Sequence, residues 1–240
     1  MEHQALFLFL ALIAEVLGTI GGFGSSLFFI PIASYFLDFQ SALGITALFH
    51  LSSNLSKLGL FRNGLDKKLI LQIGIPSVLF VTIGAYLSKF VEGYLLAGIL
   101  AIFMVLLSLL LLFKENLTWK MTLQNNLMGG AFSGFLAGLI GTGGAIRGLL
   151  LTSFQLPVEA FIANSASIDM MVDSSRTFVY AFNGFIHLHD LYLLPYLFGI
   201  SLLGTWLGKF ILKKVDYKKF RVLVLVLILL TGLLELRVFF

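Results

Sequence analysis

Two stretches gather most of the residues able to do chemistry in an otherwise apolar chain. One, from Gly138 to Gly148, carries Gly141, Thr142, Gly143, Gly144 and Arg147; the other, from Gly18 to Ser26, carries Gly21, Gly22, Gly24, Ser25 and Ser26. Each lies between apolar segments. A helix that restarts at such glycines presents several backbone N–H groups without intrahelical partners at the positive end of its dipole, which makes an anion site. Glycine also lets the backbone approach a ligand closely and take positive φ. Two starts, at Gly24-Ser25-Ser26 and at Gly144-Ala145-Ile146, would bracket one small anion from opposite sides, with the hydroxyls of Ser25, Ser26 and Thr142 as further donors.

Arg147 sharpens that reading, because a cation in the first turn of a helix opposes the dipole and is costly in hydrocarbon unless paired. Its partner is a bound anion, a carboxylate of Asp169 or Asp173, or, by snorkelling, the interface. Asp169, Asp173 and Arg176 share one face of the segment 157–182. Two carboxylates one helical turn apart repel when both are ionised, so one of them is a candidate proton site coupled to the anion. The two acids and the two arginines, Arg147 and Arg176, also sum to zero charge, as a structural network would. Glu15, three residues before Gly18, is the candidate counter-charge or proton carrier of the earlier stretch. His50 and Asn54 are candidate cavity-lining residues, and Lys57, at the same helical spacing, is expected to snorkel. His187, His189 and Asp190 alternate in a short loop with no further ligand nearby and read as solvated residues rather than as a metal site. No cofactor is suggested. With no cysteine in the chain there is no disulfide, thiolate metal site or thiol nucleophile.

The elements that must position these residues are membrane helices. Hydrophobic residues make up 59% of the chain and charged ones 12%, with a mean hydropathy of +1.01, too apolar for a soluble core of this size. The net charge of +4 sits in short loops between apolar runs, which speaks for membrane topology and against a nucleic-acid partner. The first apolar run follows only Met1 to Gln4, without a basic leader or small-residue cleavage site, and reads as a mature helix. Expected elements are an apolar helix over 5–17, a short one over 25–37, a polar-striped span over 41–60 and spans over 69–88 and 94–113. After a polar link the plan repeats, with 123–140, a short 145–156, a striped 157–182 and spans over 191–212 and 220–236. The first short helix, about 13 residues at about 1.5 Å each, reaches roughly 20 Å and falls short of a hydrocarbon core of about 30 Å.

Gly18 and Gly138, Gly21 and Gly141, and Gly24 and Gly144 are each 120 residues apart, half of the 240-residue chain. Asn63-Gly64 and Asn183-Gly184, Gly84 and Gly204, and Lys89-Phe90 and Lys209-Phe210 keep the same offset. The chain therefore reads as a single integral membrane domain of two transmembrane repeats, 1–122 and 123–240. The basic loops 62–68 and 209–221 are expected in the cytoplasm, whereas their counterparts at 187–190 and 89–92 carry no basic excess, so corresponding loops fall on opposite sides. The expected fold is an all-α integral membrane protein, an inverted-topology repeat of two five-segment halves. Each half has a Gly-rich broken helix and one short half-helix, and both termini lie outside. In lipid a broken backbone is tolerated only where it lines protein or water. The breaks should therefore meet near mid-bilayer, as in secondary transporters.

The paired glycine-rich breaks, Gly18 to Pro31 and Gly134 to Gly148, each followed by a helix and then a short Asn-Gly loop, resemble the TauE/SafE sulfite-exporter family, also called the toluene-sulfonate uptake permease family. The resemblance covers almost the whole chain. It implies a secondary transporter in the bacterial or archaeal plasma membrane that moves sulfur-containing or organic anions such as sulfite, thiosulfate, sulfoacetate or other sulfonates. Phe23 interrupts the first glycine run and Leu151 stands at the place equivalent to Pro31, and the roles of Arg147, Asp169 and Asp173 rest on physics rather than on the resemblance. The partners implied are a small anion, the lipid bilayer and, as candidate coupling ions, protons; the oligomeric state stays open. An anion channel at the same site and an intramembrane enzyme using Asp169 and Asp173 are the rivals to a transporter working by alternating access. An enzyme would need no symmetric second break, so the chain reads as a non-enzyme.

Overall fold

A computed structural model describes residues 2–21, 24–114, 120, 122–212, 214 and 217–236. The described residues form ten α-helices in chain order: α1 Glu2–Gly21, α2 Ser26–Phe36, α3 Phe39–Leu60, α4 Lys67–Leu87, α5 Gly93–Phe113, α6 Leu123–Leu139, α7 Gly144–Thr152, α8 Val158–Asn183, α9 Leu194–Leu212 and α10 Tyr217–Leu236. Short 3-10 turns, Ser88–Phe90 and Leu188–Leu193, precede α5 and α9. Four segments, Gln4–Gly21, Lys67–Phe90, Gly93–Phe113 and Leu188–Leu212, are long and apolar enough to cross a membrane. Large apolar side chains such as Phe9, Leu79, Leu106, Leu203, Trp206 and Leu234 are exposed, as a lipid-facing surface requires.

Helix ends follow local chemistry. Asp38 caps α3 by accepting from the Ser41 N–H at 3.0 Å and its hydroxyl at 2.6 Å, Asp66 caps α4 through the Leu69 N–H at 3.1 Å, and Thr122 caps α6 through the Asn125 N–H at 3.2 Å. α8 stops at Gly184, whose φ of 80° is left-handed and whose N–H returns to the Ala181 carbonyl. Gly64, in the other Asn-Gly pair, has φ 79°.

Close packing runs between helices from different parts of the chain. α4 lies along α6, and a Cβ on Gly130, Gly134 or Gly138 of α6 would strike the α4 backbone, so these glycines set the separation of the two helices. α1 lies along α9, with Gly204 against the Glu15 side chain and Gly208 against Thr19. The two polar-striped helices, α3 and α8, face each other, and α5 packs on α10. Phe7, Phe29, Phe36 and Phe49 pack ring on ring where α1, α2 and α3 meet, with centroids 4.5 to 5.7 Å apart.

Several boundaries differ from expectation. α1 runs on to Gly21 instead of halting at Leu17, because Gly18 faces the Ser25 backbone and its missing Cβ serves helix contact rather than a break. The turns fall at Gly24 and Gly141, with φ 81° and 79°. α7 ends at Thr152 and spans nine residues, because the chain turns through Gln155, at φ 49°, into Pro157. The expected loop at His187 to Asp190 is the start of a 3-10 turn in which Asp190 is buried.

Candidate functional site

The starts of α2 and α7 touch. The Ser26 hydroxyl donates to Thr142 Oγ1 at 3.0 Å, and a Cβ built on Gly24 would sit 4.0 Å from the Gly144 Cα. Gly24 takes a left-handed φ of 81° here, which is what glycine supplies at the turn into α2. Gly143 precedes α7 and carries no side chain to cap it, and the Arg147 N–H makes an early bond of the helix, to the Gly143 carbonyl at 3.2 Å. The first-turn N–H groups therefore lack partners within the helix. Gly22 lies outside the described residues, and Gly21 is the last residue of α1.

Arg147 is 2% exposed and projects from this first turn. Its Nη2 forms an ion pair with Asp169 Oδ1 of α8, while Nε and Nη1 are buried without a hydrogen-bond partner. Unpartnered buried donors are costly, and on a guanidinium beside an open helix start they mark a place for an acceptor. Asp169 Oδ2 accepts from the Ser165 hydroxyl at 3.2 Å.

One turn along α8 the chemistry differs. Asp173 pairs through Oδ1 with Arg176 Nε at 2.7 Å and accepts from Asn54 Nδ2 at 2.7 Å, with His50 Nδ1 3.8 Å away. Each acid thus has its own arginine. Arg176 Nη1 donates to the Gly141 carbonyl at 2.6 Å and the Ala137 carbonyl at 3.3 Å, and the Tyr180 hydroxyl donates to the Gly138 carbonyl at 2.6 Å. Both side chains satisfy the carbonyls that α6 leaves open at its broken end, where a cation is also favoured by the dipole.

Glu15 organises the other side. It is fully buried, and Ser25 at 2.8 Å, Ser53 at 2.5 Å, Thr205 at 3.1 Å and Thr19 at 3.3 Å all donate to its carboxylate. Lys57 does not snorkel. Its ammonium turns inward to Glu15 at 3.1 Å and to Ser53 Oγ at 2.7 Å, because a buried carboxylate is a stronger attractor than a distant interface. Ser25 Oγ lies 3.0 Å from His50 Nε2, so one chain of polar contacts links Glu15, Ser25, His50 and Asp173.

A small central cavity of about 20 Å³ lies between the two breaks, lined by Gly24, Ser26, Gly141, Gly143, Gly144 and Arg147 on one side and by His50, Asn54, Lys57, Asp169, Asp173 and Arg176 on the other. A second, of about 30 Å³, shares Gly24, Lys57 and Asp169 with it and adds Thr19, Phe161 and Ser165. A third, apolar and about 220 Å³, shares Thr19, Phe161 and Ile162 with the second and reaches Leu156 and Leu212.

Sequence reasoning missed Ser53, Thr205 and the inward Lys57. Ser53 lies four residues before Lys57 and three after His50, so the polar stripe of α3 held that signal. Thr205 carried none, since it meets Glu15 only through helix packing 190 residues along the chain. The rings of His187 and His189 stack on each other at 5.3 Å.

Comparison with curated proteins returns no match. A family model does match: residues 7–234 fit the one described as Sulfite exporter TauE/SafE, and the chain belongs to that family of membrane transporters.

Proposed function

We propose that the chain is a secondary transporter that carries small sulfur-containing or organic anions, of the sulfite, thiosulfate and sulfonate class, by alternating access at the meeting point of α2 and α7. The observation that carries this reading is Arg147. It is a buried guanidinium with two unpartnered nitrogens, set on an uncapped helix start and facing a cavity between two interrupted helices. The substrate set is Gly21, Gly22, Gly24, Ser25, Ser26, Gly141, Thr142, Gly143, Gly144 and Arg147, with His50 and Asn54 lining the cavity.

The two halves, 1–122 and 123–240, act as inverted repeats around this point. In support, α1 pairs with α9 as α6 pairs with α4, and both Asn-Gly glycines take left-handed φ near 80°. With the basic loops 62–68 and 209–221 in the cytoplasm, the cavities beyond Lys57 and Asp169 lead towards that side of the plasma membrane. Glu15, Asp169 and Asp173 make protons the coupling ion to test first.

Purified protein in liposomes should take up thiosulfate and methanesulfonate with saturation, and Arg147→Ala should lower uptake at least tenfold. Wild-type rates in that variant would refute the site. Trans-stimulated exchange of labelled anion separates a carrier from a channel.

A further inference from the structure

We infer that Asp169 is a tethered stand-in for the transported anion, a specificity-setting residue that the substrate must displace from Arg147; this rests on the anion site proposed above. The carboxylate occupies the anion's place. It pairs with Nη2 of the guanidinium whose Nε and Nη1 face no protein acceptor.

Size makes displacement necessary. A cavity of about 20 Å³ takes roughly one water. A sulfur oxyanion with several heavy atoms does not fit beside the seated carboxylate, and room opens only when Asp169 leaves. The acid is also the one free to go. Its side chain is 19% exposed, against 4% for Asp173 and 0% for Glu15. Apart from Arg147 it is held by the Ser165 hydroxyl at 3.2 Å, one turn back on its own helix, whereas Asp173 is gripped from α3 by Asn54 and by Arg176.

Departure has a second effect. Gly24, Lys57 and Asp169 are the residues common to the central cavity and its neighbour, so the carboxylate that blocks Arg147 is also part of the wall between them. Binding and access therefore depend on one side chain.

A tethered competitor also sets a threshold. Its high local concentration weakens every incoming anion by the same factor, so at a given concentration only a ligand that makes more contacts than a carboxylate occupies the site. A head group with three oxygens can engage Nε and Nη1 together with the N–H groups of the first turn of α7. A monocarboxylate merely exchanges like for like.

The test is calorimetric binding of methanesulfonate, thiosulfate and acetate to the purified full-length protein in detergent. Asp169→Asn should bind methanesulfonate at least tenfold more tightly than wild type and should gain measurable acetate binding. Asp173→Asn, which removes the same charge from the same helix, should not tighten. Wild-type binding with unchanged or weaker binding in Asp169→Asn overturns this inference and leaves the anion site standing, since a residue that only orients Arg147 behaves so. No binding by wild type or variant overturns the site and the inference together. If Asp169→Asn does not fold, Ser165→Ala loosens the same carboxylate and should tighten methanesulfonate in smaller measure; no tightening there overturns the inference.

Discussion

Replacing Lys57 by methionine keeps most of the side chain's bulk and removes the ammonium 3.1 Å from Glu15. The fully buried carboxylate would keep its hydroxyl donors, Ser25, Ser53, Thr19 and Thr205, but lose its counter-charge. Stripping one partner from a buried ion pair costs about 3–5 kcal/mol, and four remaining hydrogen bonds place this case near the lower end, at about 3 kcal/mol. For a chain of this size about 1 kcal/mol moves the melting temperature by roughly 2–4 °C, so the variant should melt about 6–12 °C below wild type. The Glu15→Gln/Lys57→Met double variant leaves no orphaned charge and should recover at least half of the loss. Thermal unfolding of wild type, Lys57→Met, Glu15→Gln and the double variant in one detergent completes the cycle. A Lys57→Met protein within about 1 kcal/mol of wild type, or a coupling energy near zero, would refute the inward pairing, since an interfacial lysine costs little to lose.

Gly138→Leu drives a side chain into the α4 backbone at Val81, Gly84 and Ala85 and should abolish the monodisperse folded species, whereas Gly199→Ala, with nothing within 4 Å of the added Cβ, should elute like wild type; a well-folded Gly138→Leu would refute the α4 and α6 contact. Asp38, outside the spans, caps α3. Its burial works to raise its pKa, but the Ser41 hydroxyl and N–H, with His187 nearby, outweigh that and hold it below the usual 3.8. A lowered folded-state pKa means that the cap's stability is present above the usual value and is lost as pH falls through the folded one. Between pH 5 and pH 3 wild type should lose stability more steeply than Asp38→Asn, and parallel melting curves would refute this.

The meeting of the two breaks was legible because it depends on residue type at fixed spacing. Glycines at 24 and 141 are needed where the backbone turns to positive φ, and no other residue type serves so cheaply. Helix extents were less legible, since Gly18 looks the same in a string of letters whether it breaks a helix or admits a neighbour. Asp169 and Asp173 read as a repelling pair because the spacing rule treats one helix alone. In the fold α8 passes between Arg147 of α7 and Asn54 of α3, so acids one turn apart meet different neighbours. The Glu15 cluster draws on α1, α2, α3 and α9, and no local periodicity announces a contact spread over four segments.

Around the two breaks Glu15, Asp169 and Asp173 are matched one for one by Lys57, Arg147 and Arg176. With these three pairs ionised the site adds no net charge of its own, so on the transport reading proposed above the charge that crosses is that of the anion and of any proton carried with it. Across 100 mV, negative inside, one elementary charge is worth about 2.3 kcal/mol, or roughly 50-fold in distribution. A monovalent anion carried alone is thus driven outward by the resting voltage unless its outside excess is above about 50-fold, and accumulating it inside takes at least one accompanying cation. Across a voltage-clamped bilayer an anion carried alone gives a current, one carried with a single proton gives none, and one carried with two or more gives a current of the opposite sign.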